Sequence, residues 1–235
     1  MAFIDAIKKA MPVPVRKALG RTQAAFRRGV LDLAIRRVAA LPAGTMPGAN
    51  TLAFLRYGWG NTGWSAKPEY IEEIARRALQ SRGPILECGS GLSTILLGLL
   101  ANKSGLRVWA LEHDSGWHER NLEALARYGI RSVELCHAPL TAHGGFDWYS
   151  PPLERMPRDF GVVICDGPPE TTPGGRYGLF PVMKDYLAAN CVVLLDDTKR
   201  PGERKILERW AKENGTTSAF GGSEESYAIV TIRSP

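Results

Sequence analysis

Cysteine is scarce in this 235-residue chain, which has Cys88, Cys136, Cys165 and Cys191 alone. They are widely spaced and each lies in or beside an apolar run, so neither paired-cysteine zinc spacing nor a disulfide framework is present, and the four read as small core residues. A long uncharged apolar stretch is also missing. None approaches the roughly 18 to 20 residues that a bilayer requires, and Lys8 and Lys9 interrupt the N-terminus before a signal-peptide core can form. The expected compartment is the cytoplasm. No internal repeat or low-complexity tract occurs, and the 44% hydrophobic content suits one sizeable core.

Acidic charge is nearly absent from the first 45 residues. Nine Lys or Arg there face only Asp5 and Asp32, giving +7, while the remainder stands at −1 and the whole chain at +6. A basic patch confined to one segment bears on what that segment touches: anionic lipid, nucleic acid or an acidic protein face. Residues 2–10 and 15–41 carry apolar residues at helical spacing, broken by Pro12 and Pro14, with Phe26, Val30, Leu33, Ala34 and Val38 along one stripe. Residues 1–45 therefore read as a basic amphipathic helical extension suited to self-association or peripheral membrane contact. Residues 46–64, rich in Gly, Pro, Asn and Thr with Tyr57, Trp59 and Trp64, read as a connecting loop that buries aromatic surface.

From 65 to 235 the pattern alternates. A helix is expected from Pro68 to Leu79. Strands are expected at 85–88, 107–112, 132–137, 161–166, 191–196 and 227–232, with helices at 92–102, 117–128, 181–189 and 203–214. Short apolar runs alternating with amphipathic helices imply a doubly wound, mostly parallel, seven-stranded α/β sheet. Ser218–Ala219, Gly221-Gly222 and the last strand imply a closing antiparallel hairpin.

The most informative stretch is Ile85-Leu-Glu-Cys-Gly-Ser-Gly-Leu-Ser93, an apolar strand ending in an acid and entering a glycine turn that opens a helix. Gly89 and Gly91 permit a sharp turn and close approach to a ligand, and the helix N-terminus offers free N–H donors. A dinucleotide loop would place a third small residue where Thr94 stands, and its pyrophosphate would meet the charge of Glu87. Both departures count against a nicotinamide oxidoreductase. Glu112, about 20 residues beyond the glycines, stands where an adenosine ribose presents two hydroxyls.

Glu87 to Ser93 resembles the first motif of class I S-adenosylmethionine-dependent methyltransferases, and Glu112-His-Asp-Ser-Gly-Trp117 resembles a variant found in bacterial small-molecule and saccharide methyltransferases. The resemblance implies a Rossmann-like domain over 65–235 and S-adenosylmethionine as cofactor, bound by Glu87, Gly89, Gly91, Ser93, Glu112, His113, Ala138 and Asp166. Ala138, in Cys136-His-Ala-Pro-Leu140, is carried over as a backbone amide reading the adenine. Asp166, in Val163-Ile-Cys-Asp-Gly-Pro-Pro169, resembles the fourth motif and is expected to face the transferred methyl group.

Strand ends at Asp166 and Asp196-Asp197 bring three carboxylates together, which implies a hard cation or a shared proton. Thr198 after the pair and the lack of a clear further ligand turn the expectation away from a divalent metal, and none is assigned. Asp197 otherwise caps a helix or pairs with Lys199, Arg200 or Arg204. Asp166 and Asp197 are the candidate catalytic acids, and O-methylation of a hydroxylated small molecule or saccharide is the expected reaction. Asp147-Trp148-Tyr149 is expected to pack, and Arg176 and Tyr177 either bind an acceptor or serve as a solvated and a packed side chain. A nucleic-acid methyltransferase is the rival reading, disfavoured because the sheet domain is nearly neutral.

Overall fold

In chain order, the computed structural model, which describes residues 12–61 and 66–232, contains α1 (Val13–Ala40), α2 (Ala49–Trp59), α3 (Pro68–Gln80), β1 (Ile85–Cys88), α4 (Leu92–Ser104), β2 (Val108–Glu112), α5 (Ser115–Arg127), β3 (Val133–His137), β4 (Leu140–Ala142), β5 (Asp147–Tyr149), β6 (Phe160–Cys165), α6 (Leu179–Met183), β7 (Leu187–Asp196), α7 (Pro201–Asn214), β8 (Thr216–Gly221) and β9 (Tyr227–Ile232). The expected helix over 2–10 and Trp64 lie outside the described residues.

The main sheet runs β3-β2-β1-β6-β7-β9-β8. β3, β2, β1, β6 and β7 are mutually parallel, and β9 enters antiparallel between β7 and β8. The chain winds outward from β1 through β2 to β3, then crosses back to β6 on the other side of β1. Ligands bind at the carboxyl ends of strands beside such a reversal.

Period-two alternation feeds two cores. Ile85, Val162, Ile164 and Leu194 join a cluster with α1, α2, α3 and α4, while Leu86, Cys88, Val163, Cys165, Val193 and Leu195 join Trp148, Phe180 and Trp210 on the opposite face. All four cysteines are free and buried within strands, as their apolar surroundings imply.

Three local expectations are corrected. Residues 49–59 form a helix rather than a loop, because Leu52, Leu55 and Trp59 bury at helical spacing despite the turn-forming residues around them. Gly58 lets α2 touch the α1 backbone, since a Cβ there would lie 2.6 Å from the Leu31 nitrogen. The buried face of α1 is Leu31, Ala34, Ile35 and Val38, whereas Phe26 and Leu33 of the expected stripe are exposed; the ring of Phe26 meets Tyr57 edge-on instead. Residues 187–189 extend β7, where Leu187 pairs with Phe160, so the helix expected over 181–189 shortens to α6. The expected packing segment Asp147-Trp148-Tyr149 is β5, paired antiparallel with β4.

Candidate active site at the carboxyl edge of the sheet

The turn after β1 is built around Glu87. Its side chain is buried, and its Oε2 accepts a 2.6 Å hydrogen bond from the Thr94 hydroxyl of α4, which itself accepts from the Gly91 amide at 2.8 Å. Thr94 thus ties the strand end to the helix. Gly89 turns the chain at φ 98° while packing its Cα side against the Gly167 amide, a conformation that favours glycine. The remaining oxygen of Glu87, Oε1, is buried without a partner. Burial pushes the Glu87 carboxyl up to about 7, reinforced by the nearby charge of Glu112 and opposed by the hydroxyls of Ser93 and Thr94.

Glu112, at the end of β2, faces the same turn. Ser90 donates its hydroxyl to Glu112 Oε2 at 2.6 Å, and the Asp114 amide donates to Oε1 at 2.9 Å. His113 Nδ1 stands 3.1 Å from Oε1. Burial works against the charged form, but these donors outweigh it and hold the Glu112 carboxyl below the ordinary range. The same contact raises the His113 pKa. The turn is braced from behind: Trp117 donates its indole N–H to the Ser90 carbonyl at 2.5 Å, and Asn121 donates to the Ser90 hydroxyl at 3.2 Å.

Asp166 at the end of β6 and Asp196-Asp197 at the end of β7 form the third part. One ligand oxygen from each lies within 4.8 Å of the others. The centre of the group belongs to Arg176, which is 2% exposed. It donates to the main-chain oxygens of Asp196 at 2.6 Å and Asp166 at 2.8 Å, and to Asp197 Oδ2 at 3.0 Å and Asp166 Oδ1 at 3.3 Å. Burial disfavours its charge, but the surrounding carboxylates, Asp166 first, hold its pKa above the usual arginine value. Burial pushes Asp166 up to about 7, with Arg176 opposing and Asp197 adding to the rise. Burial and the charges of Asp166 and Asp197 push Asp196 up to about 8. A divalent cation here would compete with a guanidinium already bound to two of the acids and two carbonyls, so these residues fit an internal arginine rather than a metal.

Glu87, Gly89, Gly91, Ser93, Glu112, His113, Asp166 and Asp197 thus share one edge of the sheet. Ala138 is there too, but its amide donates to the Glu112 carbonyl at 2.7 Å, so the expected free amide is already engaged. Arg176 is buried against the acids rather than solvated, and Tyr177 packs, donating its hydroxyl to Glu213 at 2.8 Å. Asp197 pairs with Arg200 at 2.9 Å, whereas Lys199 and Arg204 turn to Glu224 and Glu225. Sequence reasoning missed Ser90, Thr94 and Asn121 as supporting residues. A polar Asn121 on an otherwise packing face of α5 was the available signal.

No protein-family profile matches the chain, and no curated protein matches its sequence. Solved structures do match. An SAH-bound methyltransferase from Podospora anserina has 16% identity and a TM-score of 0.56, over 78% of this chain and 86% of that one. A putative caffeoyl-CoA O-methyltransferase from Staphylococcus aureus has 14% identity and a TM-score of 0.57, over 77% and 92%. An O-methyltransferase from Bacillus cereus in complex with SAH has 17% identity and a TM-score of 0.52, over 87% and 91%. At these identities the likeness is one of fold: the chain has the same doubly wound α/β architecture as these structures.

Proposed function

We propose that this protein is an S-adenosylmethionine-dependent methyltransferase of the cytoplasm, acting on a hydroxyl oxygen of a small molecule or saccharide. The observation that carries the reading is the pairing of a buried, half-unpartnered Glu87 beneath the glycine turn with Glu112 across from it. A buried carboxylate oxygen without a donor suits a cationic ligand group and repels a pyrophosphate. Glu112 keeps capacity to accept a ribose hydroxyl at Oε2, which takes only the Ser90 hydroxyl, whereas Oε1 already takes the Asp114 amide and faces His113. The SAH-bound and O-methyltransferase structures of the same fold support the reading.

The cofactor, when bound, supplies an electrophilic methyl group on a sulfonium. Glu87 faces its ammonium end, and Glu112, braced by Ser90, holds the ribose. Asp166, with a pKa near neutrality, accepts the proton of an acceptor hydroxyl. Arg176 fixes Asp166 and Asp197 so that the acid is in place before the acceptor arrives.

The test is calorimetric titration of the purified protein with S-adenosylmethionine, SAH and NAD. Micromolar binding of the first two and none of NAD is expected. Binding of NAD alone would overturn the reading.

A further inference from the structure

A cavity lies away from the carboxylate edge. About 670 Å³ in volume, it opens between the N-terminal half of α1, the end of α2 and the outer face of α5. Its walls carry Arg27, Arg28, Arg120 and Arg127 beside the rings of Trp59 and Tyr128, and Glu123 is the acidic residue among the lining side chains.

The arginines are held largely by groups that leave their charge unspent. Arg27 donates Nη1 to the Gly60 carbonyl at 3.2 Å and lies 5.4 Å over the Tyr57 ring, while its Nε is buried without a partner. Arg120 donates to the Trp59 carbonyl at 3.3 Å, with its guanidinium 5.0 Å from the Trp59 ring and 4.5 Å from that of Trp117. Among the described residues Arg127 is the one of the four with a carboxylate partner, Asp32 at 3.3 Å. Planar guanidiniums fixed by carbonyls and aromatic faces, rather than by carboxylates, are pre-oriented to bind phosphate oxygens in pairs. A second copy of the chain would bring the same basic segment against this one, so like charge disfavours self-association here.

We infer that this cleft is a binding site for a phosphate-bearing ligand, separate from the site at the strand ends. Arg120, on its wall, packs on Trp117, which bonds the Ser90 carbonyl of the turn after β1. The binding itself does not depend on methyl transfer. A soluble phosphate ester and a phospholipid headgroup present the same chemistry.

The experiment titrates the full-length protein with sodium tripolyphosphate at low ionic strength, read by calorimetry and tryptophan fluorescence. Saturable binding is expected with a change in tryptophan emission, since Trp59 lines the cleft. Arg27→Ala/Arg28→Ala should weaken it about a hundredfold, from roughly tenfold per lost charged hydrogen bond. The charge-matched pair Arg21→Ala/Arg36→Ala, on the same helix but outside the cleft, should leave it within about twofold. Absence of saturable binding, or equal weakening in both pairs, would overturn the site. Co-sedimentation with phosphatidylglycerol vesicles that tripolyphosphate displaces assigns a lipid headgroup; tripolyphosphate binding without vesicle retention assigns a soluble phosphate ester.

Discussion

Arg176 Nη2 lies 3.0 Å from Asp197 Oδ2 and, from the same nitrogen, 3.3 Å from Asp166 Oδ1, so one buried cation joins acids that arrive on different strands. Removing one partner of a buried ion pair leaves uncompensated charge, at a cost of about 3–5 kcal/mol. Arg176→Met is therefore expected to lose roughly that much in urea unfolding, and Asp166→Asn on the same background to recover part of it. A wild-type midpoint for Arg176→Met would show that the acids are neutralised by other means.

Asp166 as the proton acceptor gives a pH signature. With its pKa raised to about 7, the turnover rate should climb as pH rises through neutrality and then level off. Asp166→Asn should lower kcat by about 10²- to 10⁴-fold and abolish that limb, while SAH affinity stays near wild type. The check is a pH profile of kcat with any accepted hydroxylated acceptor.

The proposed ribose-binding role of Glu112 gives a binding signature rather than a pH signature. With the ribose held as proposed, Glu112→Ala removes a charged hydrogen bond worth about 1.5–3 kcal/mol, so SAH should bind at least tenfold more weakly. Ser90→Ala, which removes only the brace, should weaken it less. Unchanged calorimetric affinity for Glu112→Ala would place the ribose elsewhere.

Stability should respond to pH in two windows. Glu112 has a lowered pKa in the fold, so its contribution is present at neutral pH and is lost on acidification through the carboxylate range. Glu87, Asp166 and Asp196 have raised values of about 7, 7 and 8. Their contribution is complete below the unfolded carboxylate pKa and is lost as pH rises through 7 to 8. Urea midpoints should therefore fall as pH rises from about 5 to 8 and level off above that, and Asp196→Asn, which keeps an oxygen for the Asp197 amide, should flatten that fall.

Gly58 tests the helix contact. Its missing Cβ would sit 2.6 Å from the Leu31 nitrogen and 2.7 Å from the Leu31 Cα, backbone atoms that cannot step aside. Gly58→Ala should cost about 1–3 kcal/mol through overpacking, seen as a lower Tm and faster proteolysis within α1.

The sheet was legible because β1, β2, β6 and β7 are short apolar runs bounded by acids and turn residues, and the bounds expected for β1 and β9 match those found. The placement of Glu87, Glu112, Asp166 and Asp197 at one sheet edge was legible because each lies at or within one residue of a strand end, a place fixed by local sequence. Arg176 was not, since its partners lie 10 and 21 residues away and only folding brings them together. The helix at 49–59 was hidden by Gly, Asn and Thr, whose local preferences lost to burial of Leu52, Leu55 and Trp59.

The C-terminal half of α1 belongs to the same buried cluster as α2, α3 and α4. Charge along the chain suggests a detachable tail, yet Leu31, Ala34, Ile35 and Val38 are buried in the helical layer, packed on α2 and α4. Cutting at residue 45 would strip that packing, bare Leu52 and Leu55, and yield a sticky, poorly folded remnant whose failure to bind would say nothing about phosphate recognition. The basic segment is part of the building, and its role has to be dissected one side chain at a time.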